Sequence, residues 1–302
     1  MNDTNNQYNN QITVFELDKL DIRGRALRVG DLVQDIISAH DYPDYINRCI
    51  AELVVLSSLF SSLFKFEGIF SLQIQTDGAV KMLACDVTSM GGVRACASYE
   101  GEDTPDTLFG KGYMVFTVDQ GADKERYQGI VDLKNDSLID SVQHYFNQSE
   151  QIPTGLKLFI DQNKDKQWQA SAMLLQRMPG HGESMQEKNK PRVEKDSETQ
   201  IADWQHAMVM MSSLTDEEMF DNTLEMNDVL IRLFHDQEGV RVYEPVQLKK
   251  HCRCTSDKLL SVLRSLSDDE KDDLIEDGAV EVRCDYCGEN YTFTVSDIIK
   301  QG

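Results

Sequence analysis

Four cysteines near the C-terminus constrain this chain more than any other feature of its sequence. They form a CxC pair, Cys252 and Cys254, and a CxxC pair, Cys284 and Cys287, with 29 residues between the pairs. Thiols at these spacings can bind one metal ion, close as disulfides, or alternate between the two states. The fold of the C-terminal region depends on which of these the four side chains do.

The sequence around each pair favours a metal site. Residues 279–295 read as two strands joined by CDYCG, the kind of turn from which tetrahedral zinc sites take two ligands. The other pair precedes a helix, and a capping box from Ser267 to Glu270 starts a second helix that brings the pairs together. We therefore predict one Zn²⁺ per chain, held by Cys252, Cys254, Cys284 and Cys287. His251 is an alternative ligand that four thiolates make unnecessary.

The spacing also allows a redox switch. In extended chain, alternate Cα atoms are about 6.6 Å apart, near the upper limit of disulfide geometry. A Cys252–Cys254 disulfide is therefore possible but strained, and strained disulfides are the labile, regulatory ones. Zinc-bound thiolates remain nucleophilic towards oxidants, so both pairs can close as disulfides and release the metal. Spacing alone leaves this switch and a purely structural zinc site both open.

The metal is predicted to be essential for the C-terminal module, residues 246–302. A chain this short buries too little apolar surface to fold securely without a crosslink. Structural zinc contributes an apparent ~10–16 kcal/mol in small zinc modules, against roughly 5–15 kcal/mol for the stability of whole domains. We expect the module to be largely unfolded without zinc.

Composition excludes several function classes. The formal net charge is −22, and residues 251–302 carry 12 acidic against 6 basic side chains. Because such a surface repels phosphate groups, neither nucleic acid nor a membrane is an expected partner. The start MNDTNNQYNNQ lacks the features of a secretory signal, and the apolar stretch 49–64 is too short to span a bilayer. We expect a cytoplasmic protein, where clustered cysteines are usually metal ligands or redox sensors.

The fold class predicted from these patterns is α+β, in three parts. Residues 12–190 alternate between period-two apolar runs, such as FSLQIQ at 70–75, and apolar helical stretches, which predicts a mostly antiparallel β-sheet domain with packed helices. Residues 191–245 are polar and then helical and predict a linker, and residues 246–302 are the small α+β zinc module. The other three cysteines, Cys49, Cys85 and Cys96, fall within apolar elements and are interpreted as buried hydrophobic side chains.

The linker carries helix signals and many methionines. Thr215 and Glu218 form a capping box, and Asn227 is a candidate N-cap for a second short helix. Five of the twelve methionines lie between Met208 and Met226. They are either core side chains or an adaptable surface that repacks against varied partners, since unbranched Met suits promiscuous binding. The sequence leaves both interpretations open.

The cysteine motifs and several shorter strings resemble the heat-shock protein 33 family of redox-regulated chaperones. Besides CxC and CDYCG, the matching strings are GRALRVG, HDYP, LFKFEG, GYMVFTV, ERYQGIV, YFNQSEQIPT, MLLQRMPG, RLFH and VRVYEP. The resemblance extends over nearly the whole chain. The departures are the acidic, asparagine-rich start and the polar first part of the linker.

This resemblance implies a chaperone of the holdase type that works without ATP and is not an enzyme. The reduced, zinc-bound form is then inactive. Oxidation forms the disulfides Cys252–Cys254 and Cys284–Cys287, releases zinc and unfolds the linker. The activated protein binds thermally or oxidatively unfolding client proteins and forms a homodimer. The sequence has no GxxxxGK[ST] motif for ATP, which agrees with that expectation.

The linker is expected to take part in client binding. Helices of two or three turns are marginal in isolation, so their order depends on the neighbours that they pack against. We expect the linker to lose that order when the zinc module unfolds. The apolar residues that it would then offer to clients are Met208, Met210, Met211, Leu214, Met219, Phe220, Leu224 and Met226.

Two other functions fit the cysteine pairs less well. A zinc-ribbon nucleic-acid-binding protein needs a basic surface, and the charge of residues 251–302 has the opposite sign. A thiol–disulfide oxidoreductase carries its CxxC at the start of a helix in a βαβ unit, whereas CDYCG is predicted between two strands.

Overall fold

A computed structural model of the chain describes most of its residues. The described ranges are 10–101, 107–120, 126–133, 137–178, 196–221, 223–235, 239–275 and 278–298. The first five residues of the predicted linker, 191–195, lie outside them.

The described strands form two six-stranded sheets and one separate hairpin. In chain order they are β1 (Gln11–Leu17), β2 (Ile22–Val29), β3 (Ile69–Thr76), β4 (Val80–Thr88), β5 (Gly92–Tyr99), β6 (Gly112–Asp119), β7 (Tyr127–Asp132), β8 (Thr154–Gln162), β9 (Trp168–Arg177), β10 (Val240–Val242), β11 (Val246–Gln247), β12 (Lys249–Lys250), β13 (Ala279–Arg283) and β14 (Asn290–Thr294). The first sheet has the order β10-β1-β2-β9-β8, with β11 also paired to β1, and the second has the order β12-β5-β4-β3-β6-β7. Every pairing of these strands is antiparallel except β12 with β5.

Helices occupy the spaces between and beside the sheets. They are α1 (Asp31–Ile37), α2 (Asp44–Ser61), α3 (Leu138–Gln148), α4 (Ser197–Ser213), α5 (Asp216–Phe220), α6 (Met226–Leu233), α7 (Ser256–Ser265), α8 (Asp268–Leu274) and α9 (Val295–Ile298). The predicted α+β class with mostly antiparallel strands is confirmed.

Helix α2 is the centre of the main core. It packs against strands of both sheets, so nearly every side of it is buried and its apolar residues are not confined to one stripe. On β3, the side chains of Phe70, Leu72 and Ile74 are fully buried towards this core, as their alternation predicts. The sequence predicted one sheet, whereas the chain forms two with α2 between them. Alternation shows that a strand has a buried face but does not say which sheet the strand joins.

No helix in the described ranges is long and apolar enough to cross a bilayer.

The first sheet is buried on both faces because α4, α5 and α6 cover its far side. On β1, Ile12 faces the main core, while Phe15 and Leu17 face the linker helices. On β9, Leu174 faces the main core and Met173 faces the linker helices. Burial on both faces explains why β9 reads as a nearly continuous apolar run.

The described part of the predicted linker contains three helices instead of two short ones. Helix α4 has 17 residues and starts at Ser197, with Asp196 as its N-cap. Strand β10 follows α6, and β11 lies just after the predicted end of the linker at residue 245; both pair with β1. The segment is therefore joined to the first sheet by both side chains and backbone.

The two predicted cap residues have different outcomes. The capping box of Thr215 and Glu218 is confirmed at the start of α5, with both reciprocal hydrogen bonds present. The prediction that Asn227 caps the next helix is wrong. Helix α6 starts one residue earlier, at Met226 after Glu225, and has no side-chain cap. Packing of Met226 against the first sheet outweighs the local cap signal.

The apolar linker residues predicted to contact clients pack against the first sheet. Met211, Leu214, Met219 and Met226 are buried, and Met208, Met210, Phe220 and Leu224 are partly buried against the same cluster. The sulfur of Met208 lies so close to Gly155 of β8 that an added Cβ would come within 2.3 Å of it. In this conformation these residues are core side chains. A role in client binding requires that the linker leave the sheet.

Arg28 of β2 anchors the linker through its guanidinium group, which is buried. It donates hydrogen bonds to the carbonyl oxygens of Glu218 (3.0 Å), Met219 (2.8 Å), Asp221 (3.1 Å) and Leu224 (2.7 Å). These carbonyls lie at the end of α5 and in the turn before α6. A cation at a helix C-terminus is favourable because the last carbonyls have no partner within the helix. Arg28 therefore holds α5 and α6 on the first sheet.

Lys157 of β8 has the same role for α4. Its ammonium group donates to the carbonyl oxygens of Ser212 at 2.7 Å and Leu214 at 2.6 Å. The first sheet thus provides a cation to the C-terminal end of each of two linker helices.

We expect Arg28→Ala to loosen the linker without unfolding the main core. Hydrogen bonds to charged groups contribute about 1.5–3 kcal/mol each to stability. Without Arg28, the carbonyl oxygens that it binds would lack a partner where water has little access. The free energy of opening of residues 216–233, measured by amide hydrogen exchange, should fall by about 2–4 kcal/mol. Arg23→Ala on the same strand is the control, because Arg23 makes a more exposed ion pair with Glu16. Equal exchange of 216–233 in the two variants would contradict the anchoring role.

Candidate metal centre

The CxxC pair lies in the turn of the β13–β14 hairpin. Cys284 donates its backbone N–H to the Glu289 carbonyl at 2.9 Å, and Gly288 donates to the Cys284 carbonyl at 2.8 Å. Gly288 has φ 71°, and a Cβ at this position would lie 2.4 Å from the carbonyl oxygen of Ala39. Glycine is therefore needed here both for the turn and for the close contact with the end of α1.

The CxC pair is positioned by the second sheet. Strand β12 pairs in parallel with β5, and Lys249 and His251 donate their N–H groups to the carbonyls of Gly91 and Val93, both at 2.9 Å. Cys252 follows this pairing immediately. Two of the four sulfurs are thus held by the large domain and two by the hairpin of the small module.

The four sulfurs lie within 4.8 Å of one another. They form the cluster of possible metal ligands found among the described residues. The Sγ atoms of Cys252 and Cys284 are 3.7 Å apart, and those of Cys254 and Cys287 are 3.4 Å apart. Zinc–sulfur bonds of about 2.3 Å at tetrahedral angles place neighbouring sulfurs about 3.8 Å apart. The geometry therefore fits a single tetrahedral metal ion bound by four thiolates.

Hydrogen-bond donors surround two of the sulfurs. The Tyr291 hydroxyl donates to Cys254 Sγ at 3.2 Å, and the Arg94 guanidinium reaches Cys252 Sγ at 4.0 Å. Donors of this kind stabilise thiolate ligands and fix their orientation. Arg94 belongs to β5, so the large domain contributes to the environment of the sulfurs as well as to their position.

The thiols differ in how easily they ionise. Burial raises the pKa of Cys252, but hydrogen bonds from the Cys254 backbone, from the neighbouring thiols and from Arg94 outweigh it and lower the pKa to about 7. Burial raises the pKa of Cys254 and of Cys287. Cys252 therefore ionises readily, whereas Cys254 and Cys287 need a bound cation to do so at neutral pH.

The alternative ligand His251 and the other three cysteines lie outside this cluster. The group of possible ligands among the described residues contains the four cysteines without His251, whose backbone pairs with β5 instead. Cys49, Cys85 and Cys96 are buried in the large domain. Burial raises the pKa of Cys85, and it raises that of Cys96 to about 12, so neither is a reactive thiolate.

Sequence reasoning missed the contacts between the metal centre and the second sheet. Arg253, the residue inside CxC, pairs with Asp86 of β4, and Tyr286, inside CxxC, lies against the guanidinium of Arg94 at 3.9 Å. The one signal in the sequence was Arg253, the basic residue inside CxC, because a basic side chain indicates an acidic partner. The sequence did not show where in the chain that partner lies.

The small module has little core of its own. The buried apolar side chains that form its cluster are Leu263, Val280, Phe293 and Ile298. Partly buried neighbours complete the packing against α7 and the hairpin. So small a core supports the expectation that a metal ion stabilises the module.

Comparison with known proteins agrees with these features. The family model described as Hsp33 protein matches residues 10–294. This chain belongs to the Hsp33 family. The resemblance read from the sequence is therefore confirmed, and membership supports a chaperone function.

Curated relatives named 33 kDa chaperonin match over almost their whole length. The protein of Shewanella loihica is 34% identical, covering 94% of this chain and 92% of the relative. That of Shigella flexneri is also 34% identical, covering 95% and 94%. That of Caulobacter vibrioides is 32% identical, covering 93% of each. The solved structure of the 33 kDa chaperonin (Heat shock protein 33 homolog) of Thermotoga maritima matches with a TM-score of 0.76 and 19% identity over 96% of both chains, which shows a common fold.

We expect the four C-terminal cysteines alone to determine the metal content. Replacing Cys49, Cys85 and Cys96 together by alanine should leave one zinc per chain, measured by elemental analysis of reduced protein. Cys287→Ser should lose the metal and leave the β13–β14 amides unprotected in hydrogen exchange, because the module would lose its main crosslink. Loss of zinc in the triple variant, or a protected hairpin in Cys287→Ser, would refute the assignment.

Proposed function

We propose that this protein is a redox-regulated, ATP-independent holdase, inactive when reduced and zinc-bound. The single observation that carries the proposal is the cluster of four thiols, sized for one tetrahedral ion and shared between the large domain and a module with a very small core. A metal site at such a junction makes the order of the module depend on the state of four oxidisable sulfurs.

Zinc is the metal that this donor set favours. Four thiolates at tetrahedral spacing are typical of structural zinc sites, and zinc itself has no redox chemistry. When bound, the ion crosslinks the two halves of the module and keeps its ligands as thiolates. The ligands in the proposal are Cys252, Cys254, Cys284 and Cys287.

Oxidation is proposed to form the disulfides Cys252–Cys254 and Cys284–Cys287. Each pair of zinc-bound thiolates gives up two electrons as its sulfur–sulfur bond forms, and Zn²⁺ is released. One hydrogen peroxide per disulfide takes up these two electrons and two protons from the solvent and becomes two waters. The shortest sulfur contacts run instead between the pairs, from Cys252 to Cys284 and from Cys254 to Cys287. Disulfides across those contacts would keep the halves crosslinked, whereas disulfides within the pairs release them. Only the second connectivity couples oxidation to unfolding.

The linker is proposed to connect this switch to client binding. Helices α4, α5 and α6 cover the far face of the first sheet with methionines and other apolar side chains. Displacing them would expose both that face and the apolar side of the helices to unfolding proteins. The net charge of −22 would keep such a complex soluble. The activated form is further proposed to be a homodimer in the cytoplasm.

The proposed function is tested by aggregation of a thermally unfolding client. Protein treated with peroxide at elevated temperature should release its zinc and suppress aggregation without ATP, and thiol reductant with zinc should reverse both effects. The triple variant of Cys49, Cys85 and Cys96 is the control and should respond like the natural chain. Full suppression by reduced, zinc-loaded protein at the same temperature would argue against redox control.

Disulfide connectivity can be read after cleavage at lysine. Cleavage after Lys250, Lys258 and Lys271 places each cysteine pair on its own peptide. We expect two unlinked peptides, each lighter by two hydrogens. A covalently linked pair of peptides would show that the cross contacts oxidise instead.

The linker's part is tested by hydrogen exchange of reduced and oxidised protein at one temperature. Residues 201–238 should lose protection on oxidation, because the module that helps to order them has unfolded, while strands within 70–135 keep theirs. A linker that stays protected in an oxidised form that suppresses aggregation would rule out this coupling.

A further inference from the structure

A buried carboxylate of the large domain lies where the small module contacts it. Asp86, on β4, has a side chain only 7% exposed. Arg94 of β5 donates to it from Nε at 2.8 Å and Nη2 at 2.7 Å, and Ser71 of β3 donates its hydroxyl at 2.6 Å. Arg253 of the small module donates to the same carboxylate at 2.5 Å. Three neighbouring strands thus build a receptor for one arginine from the CxC motif.

The CxxC motif contacts the same group of residues. The ring of Tyr286 lies 3.9 Å from the guanidinium carbon of Arg94, which is cation–π distance. Arg94 also reaches Cys252 Sγ at 4.0 Å. Arg94 therefore touches Asp86, one sulfur and the spacer residue of the other cysteine pair. We call Asp86 and Arg94 the spacer socket.

The spacer residues cannot move independently of the sulfurs. Arg253 is the single residue between two cysteines, and Tyr286 is one of two between the others. Any change in the separation of Cys252 and Cys254 therefore displaces Arg253. Because the Asp86–Arg253 pair is largely withdrawn from water, small displacements weaken it more than they would weaken an exposed pair.

We propose that the spacer socket docks the small module onto the second sheet and senses the state of both cysteine pairs. Arg253 and Tyr286 are positioning residues: they hold the module in place while the four sulfurs are clustered, and they leave the socket when the pairs rearrange. Strand β12 then loses its support beside β5. The regulatory part of this inference rests on the proposed function, whereas docking of the module does not depend on chaperone activity.

Docking is tested with Arg253→Ala in reduced, zinc-loaded protein, without oxidant or client. The variant leaves Asp86 paired with Arg94, so the large domain should stay folded. We expect an unchanged zinc content and about tenfold to a hundredfold faster exchange of the Lys249 and His251 amides, which donate to β5. Arg253→Lys should restore part of the protection.

Arg126→Ala is the matched control, because Arg126 pairs with Asp119 on the same sheet at 3.0 Å with 70% of its side chain exposed. Its loss should not change exchange at β12. If Arg253→Ala retains zinc and exchanges at the wild-type rate, the docking proposal is wrong, whatever the result of the aggregation assay.

A second variant applies if Arg253→Ala disturbs the metal site. Asp86→Asn acts from β4, far in the chain from the four clustered cysteines, and removes the charge that receives Arg253. If this variant keeps one zinc per chain and the Lys249 and His251 amides exchange faster, docking through the spacer socket is supported. If it keeps one zinc per chain and these amides exchange at the wild-type rate, the docking proposal is overturned.

Discussion

The clustering of four sulfurs is the interaction on which the C-terminal part of this protein depends. Among the described residues, the apolar cluster of the module around it has four buried side chains, too few to offset the entropy of ordering the chain. A metal ion bound by four thiolates would contribute about as much as the whole stability of an ordinary domain. In the proposed mechanism the module is therefore ordered only while its sulfurs stay together, a condition that oxidants would remove.

Backbone pairing connects both the module and the linker to the sheets of the large domain, so loss of order in the module would affect distant parts of the molecule. Strand β12 connects the CxC pair to the second sheet, while β10 and β11, a few residues earlier, connect the linker to the first sheet. The linker helices are held on that sheet by apolar packing and by two cations, Arg28 and Lys157. Each attachment is modest by comparison with the main core around α2. A graded order of stability, with the small C-terminal module lowest and the α2 core highest, follows from these packing differences.

The sequence was informative where the signal is local and silent where contacts are distant. The two cysteine pairs, the hairpin around CDYCG, the period-two strands and the Thr215–Glu218 capping box could all be read because each is defined within a few residues. The Asn227 cap failed because packing of Met226 decided where α6 begins. The second sheet, the parallel β12–β5 pair and the burial of Arg28 and Asp86 were not predictable, since each depends on partners far along the chain.

Removing the metal without oxidising the thiols tests the central claim most directly. Reduced protein is stripped of zinc by a chelator under a thiol reductant, and amide exchange is compared with the zinc-loaded form. The account predicts that the β13–β14 hairpin exchanges at rates close to those of an unfolded chain, while the strands around α2 keep their protection and added zinc restores the hairpin. A zinc-free, reduced protein whose hairpin stays fully protected would contradict the claim that the metal holds the module folded.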